Sequence, residues 1–310
     1  MSRSVLVTLF AIIPLYIVSP ARAQTPVFDA GFFSVVNAEL KEKPHLVLWA
    51  DAKNLRTSTF YTSTQNTIAG MLTNALAQSK CFKKITLADL DHALLLMSDL
   101  DGGGSSERGY IAVNGNLDAT NLIKCLAKDQ SWTATTLKNH PAYLTSSGTD
   151  KSYVYAVGND TMVIVSATWA NHLDPGKNVL GAGKLSGFVK SRMMAVQMEK
   201  APKDTKLKSM VGELKVGTDL EFTGSATYLK EKDALEMQKT ADQFKKQGSG
   251  AGLTFANTLK LTRTKARLDG TMTMTPAEFV VVMSLLNAAI FGSTPPPTKA
   301  APPKKNNAKP

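Results

Sequence analysis

Two cysteines and four histidines are all the thiols and imidazoles that this 310-residue chain carries. Neither Cys81 nor Cys125 has a second cysteine or a histidine at zinc-ligand spacing. His45, His92, His140 and His172 form no i, i+4 or HExxH pair, so no metal-site motif is present. A Gly-x-Ser-x-Gly elbow is also missing, and no serine stands in a recognisable nucleophile turn. The nearest approach to a phosphate loop, GAGK at 181–184, has Asn178 where the first glycine belongs and Leu185 in place of the hydroxyl. Long apolar runs are scarce as well. The longest, at residues 5–18, is about 14 residues and falls short of the roughly 20 that a spanning helix requires. These absences leave no catalytic residue, metal or cofactor to assign.

What is present begins with MSRSVLVTLFAIIPLYIVSPARA. Arg3 precedes the apolar run, and a small-x-small close at Ala21 and Ala23 follows it. That order is the order of a secretory signal peptide, and it predicts export to the periplasm or beyond, with cleavage after Ala23 and no transmembrane helix left behind. The last segment, 293–310, is built from Pro, Ala and Lys, with Lys299, Lys304, Lys305, Lys309 and no acid. Such a composition cannot bury enough apolar surface to offset ordering entropy, so a disordered basic tail is expected. Of the formal net charge of +11, Arg3, Arg22 and the four tail lysines account for six, leaving +5 for the body. That excess is modest and does not form a nucleic-acid footprint.

Export gives the two cysteines a partner in each other. In an oxidising compartment Cys81 and Cys125 are expected to form a disulfide, and closing a loop of about 45 residues restricts the unfolded chain by roughly 4 kcal/mol. Cys81 follows a helical pattern, TFYTSTQNTIAGMLTNALAQSK. Cys125 lies within another, LDATNLIKCLAK, for which Asp118 is a candidate cap, so the bond is expected to hold two helices side by side.

Along the body, residues 24–44 form a lead-in with a helix in FFSVVNAEL. A strand is expected at 45–50, then the helix before Cys81, then strands in HALLLMSD and RGYIAVNGN. After the second helix, WTATTLKN, AYLTSS, SYVYAVGN and TMVIVSAT read as an antiparallel meander, with a tight turn at Asn159 and Asp160. TWANHL is helical. The second half offers a strand in MMAVQME, a short helix in KLKSMVGEL and a strand in DLEFTGSATYL. It continues with a surface helix in KEKDALEMQKTADQFKKQ that stops at Gly248-Ser-Gly250, strands in LTFANTLKLTRT and KARLDGTMTMT, and a last helix opened by Pro276. The fold class is therefore α+β, mostly antiparallel sheets with packed helices in two similar halves, at 45–178 and 191–292, joined by a glycine-containing linker at 179–190.

Three segments, TMVIVSATWANHL, LKVGTDLEFTGSATYLKEKDALEMQKTADQFKK and TLKLTRTKARLDGTMTMTPAEFVVVMSLL, together resemble uncharacterised secreted proteins of myxobacterial and similar Gram-negative bacteria. The resemblance implies export and the half-repeated architecture. It carries over no site residues.

Four further features carry chemistry of some kind. Lys260, Arg263, Lys265 and Arg267 alternate near a strand reversal. Three of them on one strand face would make an anion-binding strip for lipid headgroups or polysaccharide, against the alternative of an edge guarded by cations. Methionines at 193, 194, 198, 272 and 274 suit either a core or an adaptable apolar pocket. Glu231, Asp233 and Glu236 read as helix ion pairs. SDLDGGGSSERG, at 98–109, begins like a calcium loop at Asp99 and Asp101. Its fifth and twelfth positions are Gly103 and Tyr110, so a hairpin joint between two strands is the simpler reading. The resulting expectation is an exported, non-enzymatic binding or interaction protein of the cell envelope. Its partner would be an anionic envelope component or another envelope protein, and the alternatives are a carrier of an apolar or lipid ligand and a hydrolase of unrecognised type.

Overall fold

The computed structural model describes residue 28 and residues 30–291, apart from 77–78, 99–107, 148–149, 178–179, 181–184, 187–188, 190–192, 203–204 and 251–252. The segment expected to be a signal peptide, the glycine-rich loop with Asp99 and Asp101, much of the expected linker and the basic tail lie outside the described residues.

Twelve strands make one sheet: β1 (Leu46–Asp51), β2 (Leu90–Ser98), β3 (Arg108–Gly115), β4 (Thr133–Leu137), β5 (His140–Ser147), β6 (Asp150–Val157), β7 (Thr161–Ser166), β8 (Met194–Met198), β9 (Leu207–Val216), β10 (Leu220–Tyr228), β11 (Lys260–Thr264) and β12 (Arg267–Met274). Their spatial order is β11-β12-β10-β9-β8-β1-β2-β3-β7-β6-β5-β4. Every neighbouring pair is antiparallel. Each half starts with a three-strand meander, and the last strand of each half returns to pair with the third strand of its meander. The plan is therefore mirrored about the β8–β1 pair. Because β8 hydrogen-bonds to β1 from Leu46↔Met198 to Ala50↔Met194, the two halves share one sheet across the expected linker.

Eight helices are described: α1 (Ala30–Leu40), α2 (Ala52–Arg56), α3 (Thr59–Leu76), α4 (Ala119–Asp129), α5 (Ala167–Ala170), α6 (Glu231–Gly250), α7 (Phe255–Thr258) and α8 (Pro276–Phe291). Strand alternation decides what each covers. On one sheet face Val47, Trp49, Leu94, Leu96, Tyr110, Val163 and Val165 are buried under Phe28, Phe32, Val36 and Leu40 of the α1 region and Trp169 of α5. On the opposite face α3 crosses the seam between the halves. Its Phe60 packs with Leu214, Phe222 and Met272 of the second half, and its Leu72 and Leu76 with Val154, Met162 and the α4 residues Leu122 and Leu126 of the first. Helices α6 and α7 add Ala241 and Phe255 to the second-half core.

Several expectations are corrected. KLKSMVGEL is strand β9, not a helix, because Met210, Gly212 and Leu214 on one face alternate with Ser209, Val211 and Glu213 on the other, and the segment lies between β8 and β10. LTFANTLKLTRT is strand only from Lys260, since Phe255 and Ala256 are buried in the short helix α7. Helix α6 ends at Gly250, within the expected Gly248-Ser-Gly250 stop, and a Cβ at Gly248 would sit 2.7 Å from that of Ala256, so this glycine also permits close helix packing. Asp118 does not cap α4 with its side chain. Its backbone is left-handed, φ 43°, and its carboxylate accepts from Asn121 at 2.8 Å. The hairpin between β6 and β7 turns through Gly158, at φ 62°, Asn159 and Asp160.

Candidate functional site

The disulfide forms, with sulfurs 2.15 Å apart and Cα atoms 5.7 Å apart. Cys81 lies beyond the end of α3, in a single 3-10 turn, Lys80–Phe82, so the bond ties a turn to α4 rather than two helices together. The same junction carries polar ties. Ser79 donates to Asp129 at 3.0 Å and Lys80 approaches it at 3.2 Å. These two contacts, Ser79 first, hold the Asp129 carboxyl below its ordinary range. This is a structural staple, and it offers no reactive thiol.

The cation strip does not assemble as one face. Strands β11 and β12 meet in a two-residue turn at Lys265 and Ala266, with Thr264 paired to Arg267 and Arg263 to Leu268. Lys260 and Arg267 therefore face one side of the sheet and Arg263 the other, where its Nε donates to Gln238 of α6 at 3.3 Å. Arg267 is committed to Asp269, which is 3% exposed: Nε lies 2.8 and 3.0 Å from the two carboxylate oxygens, and Nη2 lies 2.6 Å from Oδ1.

A different cluster takes the strip's place. At the sheet end where β9 begins and β10 ends, the Tyr228 N–H donates to the Ala266 carbonyl at 2.8 Å, and the Leu229 N–H to the Lys206 carbonyl at 2.9 Å. These two bonds gather the 206–208 segment, the β10–α6 junction and the β11–β12 turn. Leu229, 60% exposed, stands among them. Lys206 is ion-paired to Glu236 at 2.6 Å and to Asp233 at 3.7 Å. The hydrogen bond that the Lys206 ammonium donates to Glu236 holds the Glu236 carboxyl below its ordinary range and the Lys206 ammonium above its own. The α6 acids thus serve a lysine of the preceding strand connection rather than only their own helix. With Asp269 held by Arg267, the exposed Lys208, Lys230, Lys232 and Lys265 make no ion pair among the described residues. Arg263 donates to the Lys265 carbonyl at 3.1 Å, which keeps its guanidinium at this end. The sequence signal for the site was Leu229 itself, a large apolar residue followed by Lys230-Glu231-Lys232 at the point where strand alternation ends.

The opposite sheet end carries the one row that has acid–base ingredients among the described residues. Across β1, β2, β3 and β7, Asp51 Oδ1 lies 3.7 Å from His92 Nε2, His92 Nδ1 lies 3.5 Å from Asn114 Oδ1, and Asn114 donates to Thr161 at 3.0 Å. Thr161 donates its hydroxyl to Asp160 at 2.8 Å, and Asp51 also accepts the Asn54 N–H at 2.7 Å as the cap of α2. His92 thus faces the carboxylate of Asp51 on one side and the amide of Asn114 on the other. Among the described residues no group of three or more His, Cys, Asp or Glu is placed to hold a metal ion. Met272 and Met274 are buried in the core beside Phe222, with Met193 and Met194 packed against it.

Among the described residues no helix is long and apolar enough to cross a membrane. No family model, no curated protein and no solved structure matches the chain.

Proposed function

We propose that this is an exported, non-enzymatic binding protein of the cell envelope that docks reversibly on an anionic lipid surface through the Leu229 end of its sheet. The observation that carries the reading is Leu229, 60% exposed and held by backbone hydrogen bonds among the cations of three chain segments. Inserting one leucine side chain into the headgroup boundary contributes about 1.5–3 kcal/mol. Each lysine near an anionic surface adds about 1 kcal/mol, screened by salt. A leucine with Lys208, Lys230, Lys232 and Lys265 therefore supports peripheral binding that salt reverses, the two-signal arrangement typical of surface-associated proteins. The Cys81–Cys125 bond fits the oxidising compartment that export would reach.

Sedimentation with vesicles tests the proposal. Wild type is expected to bind vesicles of phosphatidylglycerol and phosphatidylcholine at low salt, and to release from them in high salt and from pure phosphatidylcholine. Leu229→Ser combined with Lys230→Gln, Lys232→Gln and Lys265→Gln should weaken binding at least tenfold. Changing the four lysines between 299 and 309 to Gln should leave most of it. Undiminished binding by the Leu229 variant, or complete loss on changing the tail alone, would sink the reading.

A further inference from the structure

The sheet face that α1 and α5 cover in the first half continues into the second half with no helix packed on it among the described residues. Among the described residues, the apolar packing on that face reaches Val211 of β9 and stops. Beyond it the register aligns polar side chains in rows across four strands. Thr264, Arg267, Thr227 and Ser209 form one row; Thr262, Asp269, Ser225 and Val211 the next; Lys260, Thr271, Thr223 and Glu213 the third; and Thr273, Glu221 and Lys215 the last. Strands lie about 4.8 Å apart and rows about 6.8 Å apart, so this is a hydroxyl-rich grid roughly 14 Å wide, in which Ser225 and Asp269 of the second row are buried between their neighbours.

The charges on the grid cancel locally. Arg267 is paired with Asp269 at 2.6 Å and Lys215 with Glu213 at 3.1 Å, leaving Lys260 and Glu221, of opposite sign. No aromatic residue belongs to the face, and Val211 is its one apolar member. An acyl chain, a base stack or a highly charged polymer finds nothing complementary there. Threonine differs from the lysines and glutamates that usually coat a solvated sheet, because its β-branch fixes χ1. Its hydroxyl is thus presented with little rotamer entropy left to lose, and it offers one donor and two acceptor positions.

We infer that this face binds an extended, uncharged polysaccharide through the hydroxyls of Thr223, Thr227, Thr262, Thr264, Thr271 and Thr273. The partner is chosen by chemistry: neutral to match a face whose charges are internally paired, hydroxyl-rich to exchange hydrogen bonds with a hydroxyl grid, and extended to follow its rows. This surface is separate from the Leu229 end, and failure of either reading leaves the other standing.

Native affinity electrophoresis of the full chain through gels containing dextran or hydroxyethyl-cellulose is the test, because a basic protein is not retarded by a neutral polymer for electrostatic reasons. Wild type should be retarded by at least one of the two polymers, with a mobility shift that persists in high salt. Thr223→Val with Thr271→Val should reduce the apparent affinity at least fivefold with an unchanged melting temperature, and Thr223→Ser with Thr271→Ser should keep most of it. If the Val pair lowers the melting temperature, the Ser pair together with Thr262→Val and Thr264→Val at the sheet edge decides. Wild type unretarded by both polymers, or Val variants retarded like wild type, would overturn the inference, as would retardation abolished by salt.

Discussion

One face of one sheet leads two different lives in this molecule. Over the first half it is apolar, with Trp49, Tyr110 and Val163 at 0–1% exposure beneath the α1 region. Over the second half the same face carries threonines and paired charges with no described cover. The opposite face is apolar and helix-covered in both halves. The lesson is that the mirrored strand plan is conserved in backbone terms while the side-chain pattern assigns each face its medium. Among the described residues the first half is covered on both faces and the second half on one, which is why the first reads as near-continuous apolar strands and the second as alternating ones.

The comparison is most exposed to substitution in the covering layer. Phe32→Ala, in α1, removes a ring that is fully buried and packed against Phe28 with ring centroids 4.6 Å apart, and should destabilise the protein by about 3–5 kcal/mol in urea unfolding. Thr273→Ala on the bare face should change stability by no more than about 0.5 kcal/mol. Similar losses at the two positions would erase the distinction between the halves. Next in size is the staple that only the first half has. Cys81→Ser with Cys125→Ser should cost roughly 4 kcal/mol, for a crosslink spanning a sequence separation of 44. Because β1 and β8 join the halves, that loss should lower a single unfolding transition. A first half melting separately, with the second unaffected, would show two independent units.

The smallest effect concerns the second half's own helix anchor. Glu278 closes a capping box at the start of α8, where its Oε2 accepts from the Thr275 N–H at 2.9 Å and from the Thr275 hydroxyl at 2.8 Å, while Thr254 donates to Oε1. Burial pulls this carboxyl upward, but the hydrogen bonds from Thr254 and Thr275 outweigh it and hold it below the ordinary range. A lowered folded-state value means the carboxylate's stabilisation is fully present above the unfolded-state range and is lost as pH falls through the folded-state value. Glu278→Gln should therefore cost about 1 kcal/mol at neutral pH and less in acid. An equal cost at pH 7 and pH 3 would contradict the role given to the carboxylate.

Much of the fold was legible in the sequence. Strands β5, β6 and β7 followed from short β-rich runs broken by turn residues, and Cys81 with Cys125 from compartment chemistry. Strand β9 was not, because KLKSMVGEL mixes good helix formers with an alternation that becomes visible only when β8 and β10 are known to flank it. The cation strip failed for a related reason. Residues two apart share a face only within an uninterrupted strand, and the turn at Lys265 and Ala266 sends Arg263 and Arg267 to opposite faces. The Leu229 cluster depends on backbone bonds between residues 23 and 38 positions apart, from 206 to 229 and from 228 to 266, which no local pattern encodes.

The seam between β1 and β8 also sets an order of events for the growing chain. β1 can find β2 within about 50 residues, but its other edge waits until residues 194–198 have been made. For that interval Leu-Val-Leu-Trp-Ala, free of charge and proline, is an unguarded edge of the kind that recruits foreign strands. A chain interrupted before residue 194 would keep that edge permanently open, and it should be lost to aggregation rather than persist as a half-sized protein.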